Sequence, residues 1–284
     1  MNTYCLFNGE IHKTAEPVLK VNDLGLLRGY GVFDFFPIVQ SKPLFFNDYW
    51  NRFSSSAKQM RLPFEWEESP FTELLDHLIR KNELTDGFCK LLLTGGYSSN
   101  GFHPDNGPNL IVTTQGPIHY PAVNYEKGIK LLSIEYVREY PTIKSINYMT
   151  VLLARDRLRE EAAEDVLYYS PESVTESSRS NFFIIDKNNI LKTPGNNILA
   201  GITRSKVLGV SKNLIEVQIT DVTLDEVREA RSAFLTSTTK GIMPVTRIDD
   251  FAINEGKIDP VIAQLQQGLE QETKRYIQEA VIKF

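Results

Sequence analysis

Residues 115–121 read Gln115-Gly116-Pro117-Ile118-His119-Tyr120-Pro121. Two prolines and a glycine in so short a stretch, with no apolar period, can sustain neither a helix nor a central strand. The stretch predicts a break between two folded halves. We expect an N-terminal α/β domain over 1–117, a linker over 118–125 and a C-terminal domain over 126–284. A chain of 284 residues is long enough to bury two ordinary cores.

Both halves mix strands and helices without strict alternation, which predicts α+β domains and not a doubly wound sheet. In the first half, 31–36 and 44–46 are aromatic strand candidates around a Ser41-Lys42-Pro43 turn. A helix should follow, capped by Asn47 or Asp48, with Tyr49, Phe53, Ala57 and Met60 at helical spacing. Ser69-Pro70 should open another, with proline at its first position. Segments 88–94 and 109–114 read as paired strands around a glycine-rich loop. In the second half, 129–137, 166–169, 182–185 and 190–191 read as strands, and 148–163 as one helix. A helix over 203–213, a capping box at Thr223 to Glu226, a buried strand at 233–235 and a terminal helix from Asp259-Pro260 complete the pattern.

Composition narrows the partners. The chain is 42% hydrophobic and 24% charged, with a net charge of -5, which gives no reason to expect nucleic acid or an anionic membrane. The N-terminus lacks a basic start and an apolar core, so no secretion signal is expected. No apolar run is long enough to span a bilayer. Cys5 and Cys89 are isolated, and His12, His77, His103 and His119 share no ligand spacing, so neither disulfide framework nor metal is expected. The expected compartment is the cytoplasm.

Five segments carry chemistry. Lys144 lies between an apparent strand end and a helix start, flanked by Ile143 and Ile146. A free lysine titrates at about 10.4, and burial or a neighbouring cation frees the amine for covalent chemistry. Glu176 follows an apolar strand and precedes the polar run Ser177-Ser178-Arg179-Ser180-Asn181. A carboxylate there could keep a pyridine nitrogen protonated. Gly201-Ile202-Thr203-Arg204 opens a helix whose first N–H groups suit a phosphate, and Thr236 to Thr239 after a buried strand could add hydroxyls. Arg52 on the first long helix could reach an anion through paired N–H groups. Singly, each also fits an ordinary loop or surface role. Their order along one chain fits the capture of a phosphorylated aldehyde.

In that order, the segments resemble the class IV (branched-chain type) aminotransferases, the pyridoxal-phosphate enzymes of fold type IV. The resemblance covers nearly the whole chain. Asp23-Leu24-Gly25, Gly29-Tyr30-Gly31-Val32-Phe33-Asp34, Arg52 with Ser56-Ala57, Lys144, Glu176 to Asn181 and Gly201 to Arg204 carry it. It implies a two-domain fold similar to D-amino-acid and branched-chain aminotransferases, with pyridoxal 5′-phosphate as cofactor. Lys144, in the C-terminal domain, would hold the cofactor covalently and then shuttle a proton. Glu176 would pair with the pyridine nitrogen and Tyr148 would approach the phenolic oxygen. Arg52, the backbone at Ile202 and Thr203, and Thr238 with Thr239 would hold the phosphate. A homodimer is also implied.

The chain departs from the family's pattern where the substrate carboxylate is gripped. Branched-chain members carry Tyr-x-Arg where this chain has Phe88-Cys89-Lys90, and D-amino-acid members carry arginine and histidine in the next loop. Here that loop, 98–103, has His103 and no arginine, and Phe33 supplies no hydroxyl. Lys90, Arg28, Arg179 or the backbone near Thr239 remain as carboxylate partners. Three functions follow. One is an aminotransferase acting on an amino acid, branched-chain ones among the candidates, and a 2-oxo acid. The second is a lyase resembling aminodeoxychorismate lyase, releasing pyruvate and 4-aminobenzoate. The third is a non-catalytic cofactor-binding protein.

Overall fold

The computed structural model describes residues 1–282, with side chains described through Glu279. The chain forms two units, one of residues 1–118 with 143–147, the other of 119–142 with 148 onward.

In the first unit, β1 (Tyr4–Phe7), β2 (Glu10–Lys13), β3 (Gly31–Val39), β4 (Lys42–Pro43), β5 (Gly87–Thr94) and β6 (Asn109–Gln115) form one sheet, ordered β2-β1-β6-β5-β3-β4. Every pairing in it is antiparallel. The short α1 (Leu24–Arg28) leads into β3, and α2 (Phe46–Gln59) and α3 (Glu68–Lys81) lie between β4 and β5 in the chain. Strand β3 alternates with period two. Val32, Asp34, Phe36 and Ile38 are buried, whereas Phe33, Phe35, Pro37 and Val39 are half-buried. Phe36 meets Phe46 and Tyr49 of α2, and Trp50 of α2 packs on Phe71 of α3 at 4.8 Å between ring centroids. Fully buried rings such as Phe53 each contribute about 1.5–3 kcal/mol.

The second unit holds α4 (Ala122–Lys127), β7 (Ile129–Glu135), α5 (Met149–Leu153), α6 (Arg155–Glu160), β8 (Asp165–Tyr169), β9 (Val174–Ser177), β10 (Asn181–Ile185) and β11 (Ile190–Thr193). It continues with α7 (Ile202–Ser211), β12 (Glu216–Ile219), α8 (Leu224–Arg228), β13 (Ser232–Ser237), β14 (Gly241–Ile248), β15 (Phe251–Ala252) and α9 (Pro260–Ile282). The strands run β12-β11-β10-β13-β14-β7-β8-β9, with β15 on β14. Strand β9 also pairs with β10 through Glu176 and Asn181, so the sheet closes on itself there. One cluster, with Leu131, Leu167, Phe182, Leu235 and Met243, fills one side of the sheet. A second, with Phe183, Phe234, Val207 of α7 and Leu265 of α9, fills the other. Successive β10 residues alternate between the two, as the pleat requires. Among the described residues no helix is long and apolar enough to cross a membrane.

Several elements differ from the sequence reading. Residues 44–46 are not a strand. Helix α2 begins at Phe46 behind Phe45, which adopts a left-handed φ of 53° in place of an Asn47 or Asp48 cap. Both rings are 6% exposed, so their burial sets the entry angle. Helix α3 starts at Glu68, which makes Pro70 its third residue, still within the turn that needs no N–H. The helix expected over 148–163 is two short ones, interrupted at Ala154. Leu152 and Leu153 are 61% and 77% exposed, so no buried stripe holds a longer helix together. The capping box forms as expected: Thr223 accepts from Glu226 N–H at 3.1 Å, and Glu226 accepts from Thr223 N–H at 2.9 Å.

Candidate active site

Lys144 belongs to the first unit. Residues 143–147 run antiparallel beside the start of β3: Phe33 N–H donates to Lys144 O at 2.9 Å and Ile146 N–H to Gly31 O at 3.2 Å. The approach needs glycine at 31, because a Cβ there would lie 2.8 Å from Leu93 O and 3.2 Å from Ile146 Cδ1. Residues opposite one another in such a ladder share a face. Lys144 thus lies on the Phe33 face, with its Nζ 4.6 Å from the ring centroid. Lys90 on β5 stands opposite Phe35 on the same face, and its Nζ lies 5.1 Å from the same centroid. The residue is exposed at the surface, yet neighbouring protein atoms displace enough water to pull its pKa below the ordinary lysine value. Among the described residues no carboxylate pairs with it.

Arg52 of α2 reaches β3 at Asp34. Its Nε donates to Asp34 Oδ2 at 2.9 Å and its Nη2 to Oδ1 at 2.6 Å, a two-pronged grip on a fully buried carboxylate. Tyr49 lies under the guanidinium at 5.3 Å. Arg28 is exposed at the end of α1 and donates to Leu27 O.

In the second unit Glu176 sits where the sheet closes. The residue is 5% exposed. Arg138 Nε and Nη2 reach its Oε1 at 2.7 and 2.6 Å, and Leu199 N–H donates to Oε2 at 3.0 Å. Its ladder partner Asn181 donates to Leu199 O at 2.8 Å, so β9, β10 and the chain entering α7 are locked together. Only glycine fits at 201, since a Cβ would fall 2.0 Å from Asn181 Oδ1. Helix α7 then starts with no side-chain cap on its first N–H groups, those of Ile202 and Thr203 among them. Arg204 fastens this start to the end of β11 by donating to Thr193 Oγ1 and Pro194 O.

Hydroxyls cluster around these elements. Ser177 Oγ, Ser180 Oγ and Thr236 Oγ1 are buried without a hydrogen-bond partner. Thr236 faces Asn181 across the β10–β13 ladder. Thr238 and Thr239 follow in the turn before β14, and Thr239 Oγ1 lies 3.1 Å from Tyr120 OH. Tyr148 is half-buried at the start of α5, and Arg179 is exposed. A buried carboxylate, an uncapped helix start and orphaned hydroxyls in one unit suit a small, polar, phosphorylated group.

The profile of the amino-transferase class IV family matches residues 31–248. The chain belongs to the class IV aminotransferase family. The D-alanine aminotransferase of Listeria monocytogenes is 32% identical over 97% of this chain and 98% of that one. A candidate 4-amino-4-deoxychorismate lyase of Legionella pneumophila is 29% identical, with a TM-score of 0.80 over 91% of this chain and 96% of that one. The branched-chain amino acid aminotransferase of Escherichia coli is 25% identical, with a TM-score of 0.86 over 94% of this chain and 93% of that one. Another branched-chain amino acid aminotransferase, solved with pyridoxamine 5′-phosphate, shares the fold at 24% identity with a TM-score of 0.87. The α+β reading and the fold type IV resemblance are borne out.

Several partners of the residues singled out in the sequence went unread there. Arg138 lies in a stretch with no period, and only its contact with Glu176 reveals it. Asp34 stood in a motif with no partner assigned, and Leu199 acts through its backbone. The segment 143–147, expected with the C-terminal half, joins the first unit through backbone bonds that leave no compositional trace.

Proposed function

We propose that this protein transfers the amino group of a small or branched-chain amino acid to a 2-oxo acid with pyridoxal 5′-phosphate. The observation that carries the reading is Glu176: a buried carboxylate held by Arg138 and the Leu199 amide, joined through Asn181 to an uncapped helix start. When bound, the cofactor supplies an aldehyde for amines and a ring that draws electrons from the substrate Cα. Lys144 Nζ holds the cofactor and moves the proton at the substrate Cα, while Phe33 covers one side of the amine. Glu176 holds a proton at the pyridine nitrogen, and Tyr148 serves the phenolic oxygen. Ile202 and Thr203 N–H groups, Thr238, Thr239 and Arg52 hold the phosphate. The working form is a homodimer in the cytoplasm, the pairing supported by exposed Leu26, Phe102, Leu152 and Leu153.

The substrate carboxylate is gripped by Lys90, with Arg28, Arg179 and the Thr239 backbone as the other donors. Lys90→Met should raise KM about tenfold or more, the loss of one hydrogen bond to a charged group, with kcat nearly unchanged. The depressed Lys90 pKa fixes the sign of the pH effect: KM should start to climb at a pH lower than an ordinary lysine would give. An unchanged KM in the variant would remove Lys90 from the substrate site.

A second reading is supported by the likeness to the lyase candidate and by a point charge where a forked arginine is expected. Half-reactions separate the two. Enzyme loaded with cofactor should pass to the amine form with D-alanine or L-valine. Pyruvate released from aminodeoxychorismate would replace the transferase with the lyase, and silence from every substrate would leave a binding protein.

A further inference from the structure

We infer that Asp165 and Lys240, buried in the second unit, act as positioning residues that pin both hydroxyl-bearing loops of the cofactor site to one carboxylate. The inference rests on the cofactor reading above.

Both side chains are 1% exposed, and Lys240 Nζ donates to Asp165 Oδ2 at 2.9 Å. The second oxygen, Oδ1, accepts from Ser178 Oγ at 2.5 Å and from Val166 N–H at 2.9 Å. Burial alone would push this carboxyl up, but the Lys240 charge, the Ser178 hydroxyl and the nearby Arg179 charge more than offset it and hold it below the usual range.

Each end of the pair reaches a segment that adjoins a buried hydroxyl without a hydrogen-bond partner. Ser178 lies two residues after Glu176, between the orphaned hydroxyls of Ser177 and Ser180. Lys240 directly follows Thr238 and Thr239, in the turn that starts from the strand of the orphaned Thr236 hydroxyl. The rest of that turn is tied as well: Lys240 N–H donates to Ser237 Oγ at 3.2 Å, and Lys240 O accepts from Tyr125 OH at 3.0 Å. Asp165 at the start of β8 thus fixes the spacing of two segments that do not follow one another in the chain.

Energetics favour position over stability. Taking two charges out of water costs about as much as their attraction returns, and apolar pairs of like volume often fold as well or better. An ion pair kept here calls for another use. Directional bonds from one carboxylate to two loops would set hydroxyl positions that packing alone leaves loose.

The test uses full-length protein loaded with pyridoxal phosphate. Wild type must first bind the cofactor, and if it does not, the functional reading fails before the variants are reached. We expect Ser178→Ala and Lys240→Met to release cofactor about tenfold faster each, the loss of one hydrogen bond to a charged group, and to shift or broaden the phosphorus resonance of the bound phosphate. The double variant Asp165→Leu/Lys240→Met should recover the melting temperature lost in Lys240→Met but not the slow release. A role in stability alone predicts the opposite, with release restored alongside the melting temperature. That result overturns the inference. Wild-type release and an unmoved resonance in both Ser178→Ala and Lys240→Met would overturn it too, whether or not the double variant folds.

Discussion

Lys144→Ala is expected to give a folded protein in which amino-group transfer falls by at least about 10²–10⁴-fold, the range for losing a positioned proton-transfer group. The fold should survive because the segment is held by its backbone. Phe33 N–H still finds Lys144 O, residue 144 still donates to Ser56 Oγ at 3.2 Å, and Val32 still faces Ser145. Single-turnover measurement with a saturating amino acid reads the loss, and a melting curve checks the fold. Borohydride treatment of the loaded wild type should fix cofactor on Lys144. Lys90 shares the Phe33 ring and makes the natural control. Label found on Lys90 would move the covalent role to the other strand.

Glu176→Gln should retain cofactor yet slow proton removal by about 10²–10³-fold, the cost of removing one electrostatic partner from a reacting system. The amide still accepts from Leu199 N–H but carries no charge for the ring nitrogen. It also leaves Arg138 without its opposite charge, and breaking a pair this buried costs about 3–5 kcal/mol when nothing replaces the partner. The glutamine oxygen still accepts one bond, so the stability loss should fall below that range. Cofactor titration and stopped-flow absorbance separate binding from the proton step. Wild-type turnover in the variant would take Glu176 out of the chemistry.

The legible part of this chain was periodic or polar at fixed spacing. Alternation in β3, the capping box of α8 and the Gly201 to Arg204 helix start all have local causes and could be read residue by residue. Long-range pairing had no such trace. Arg138 joins Glu176 across 38 positions, and Lys240 joins Asp165 across 75. Only the folded sheet brings such residues together, and a charge in a loop reads the same whether it is solvated or paired. Helix starts were misplaced where buried aromatic rings, and not a polar cap, set the geometry, as at Phe45. The split of 148–163 has the reverse cause: the apolar residues are there, but Leu152 and Leu153 stay exposed and hold no longer helix against the unit.

The lysine segment enters and leaves the first unit as a five-residue visit by a chain that otherwise belongs to the second. A truncation ending at Ile118 would therefore not yield a finished module. It would strip the neighbour from Gly31 to Phe33 and bare amide and carbonyl groups there, an invitation to unwanted strand pairing between molecules. Any attempt to express, swap or permute these halves must carry residues 143–147 with the piece that precedes them.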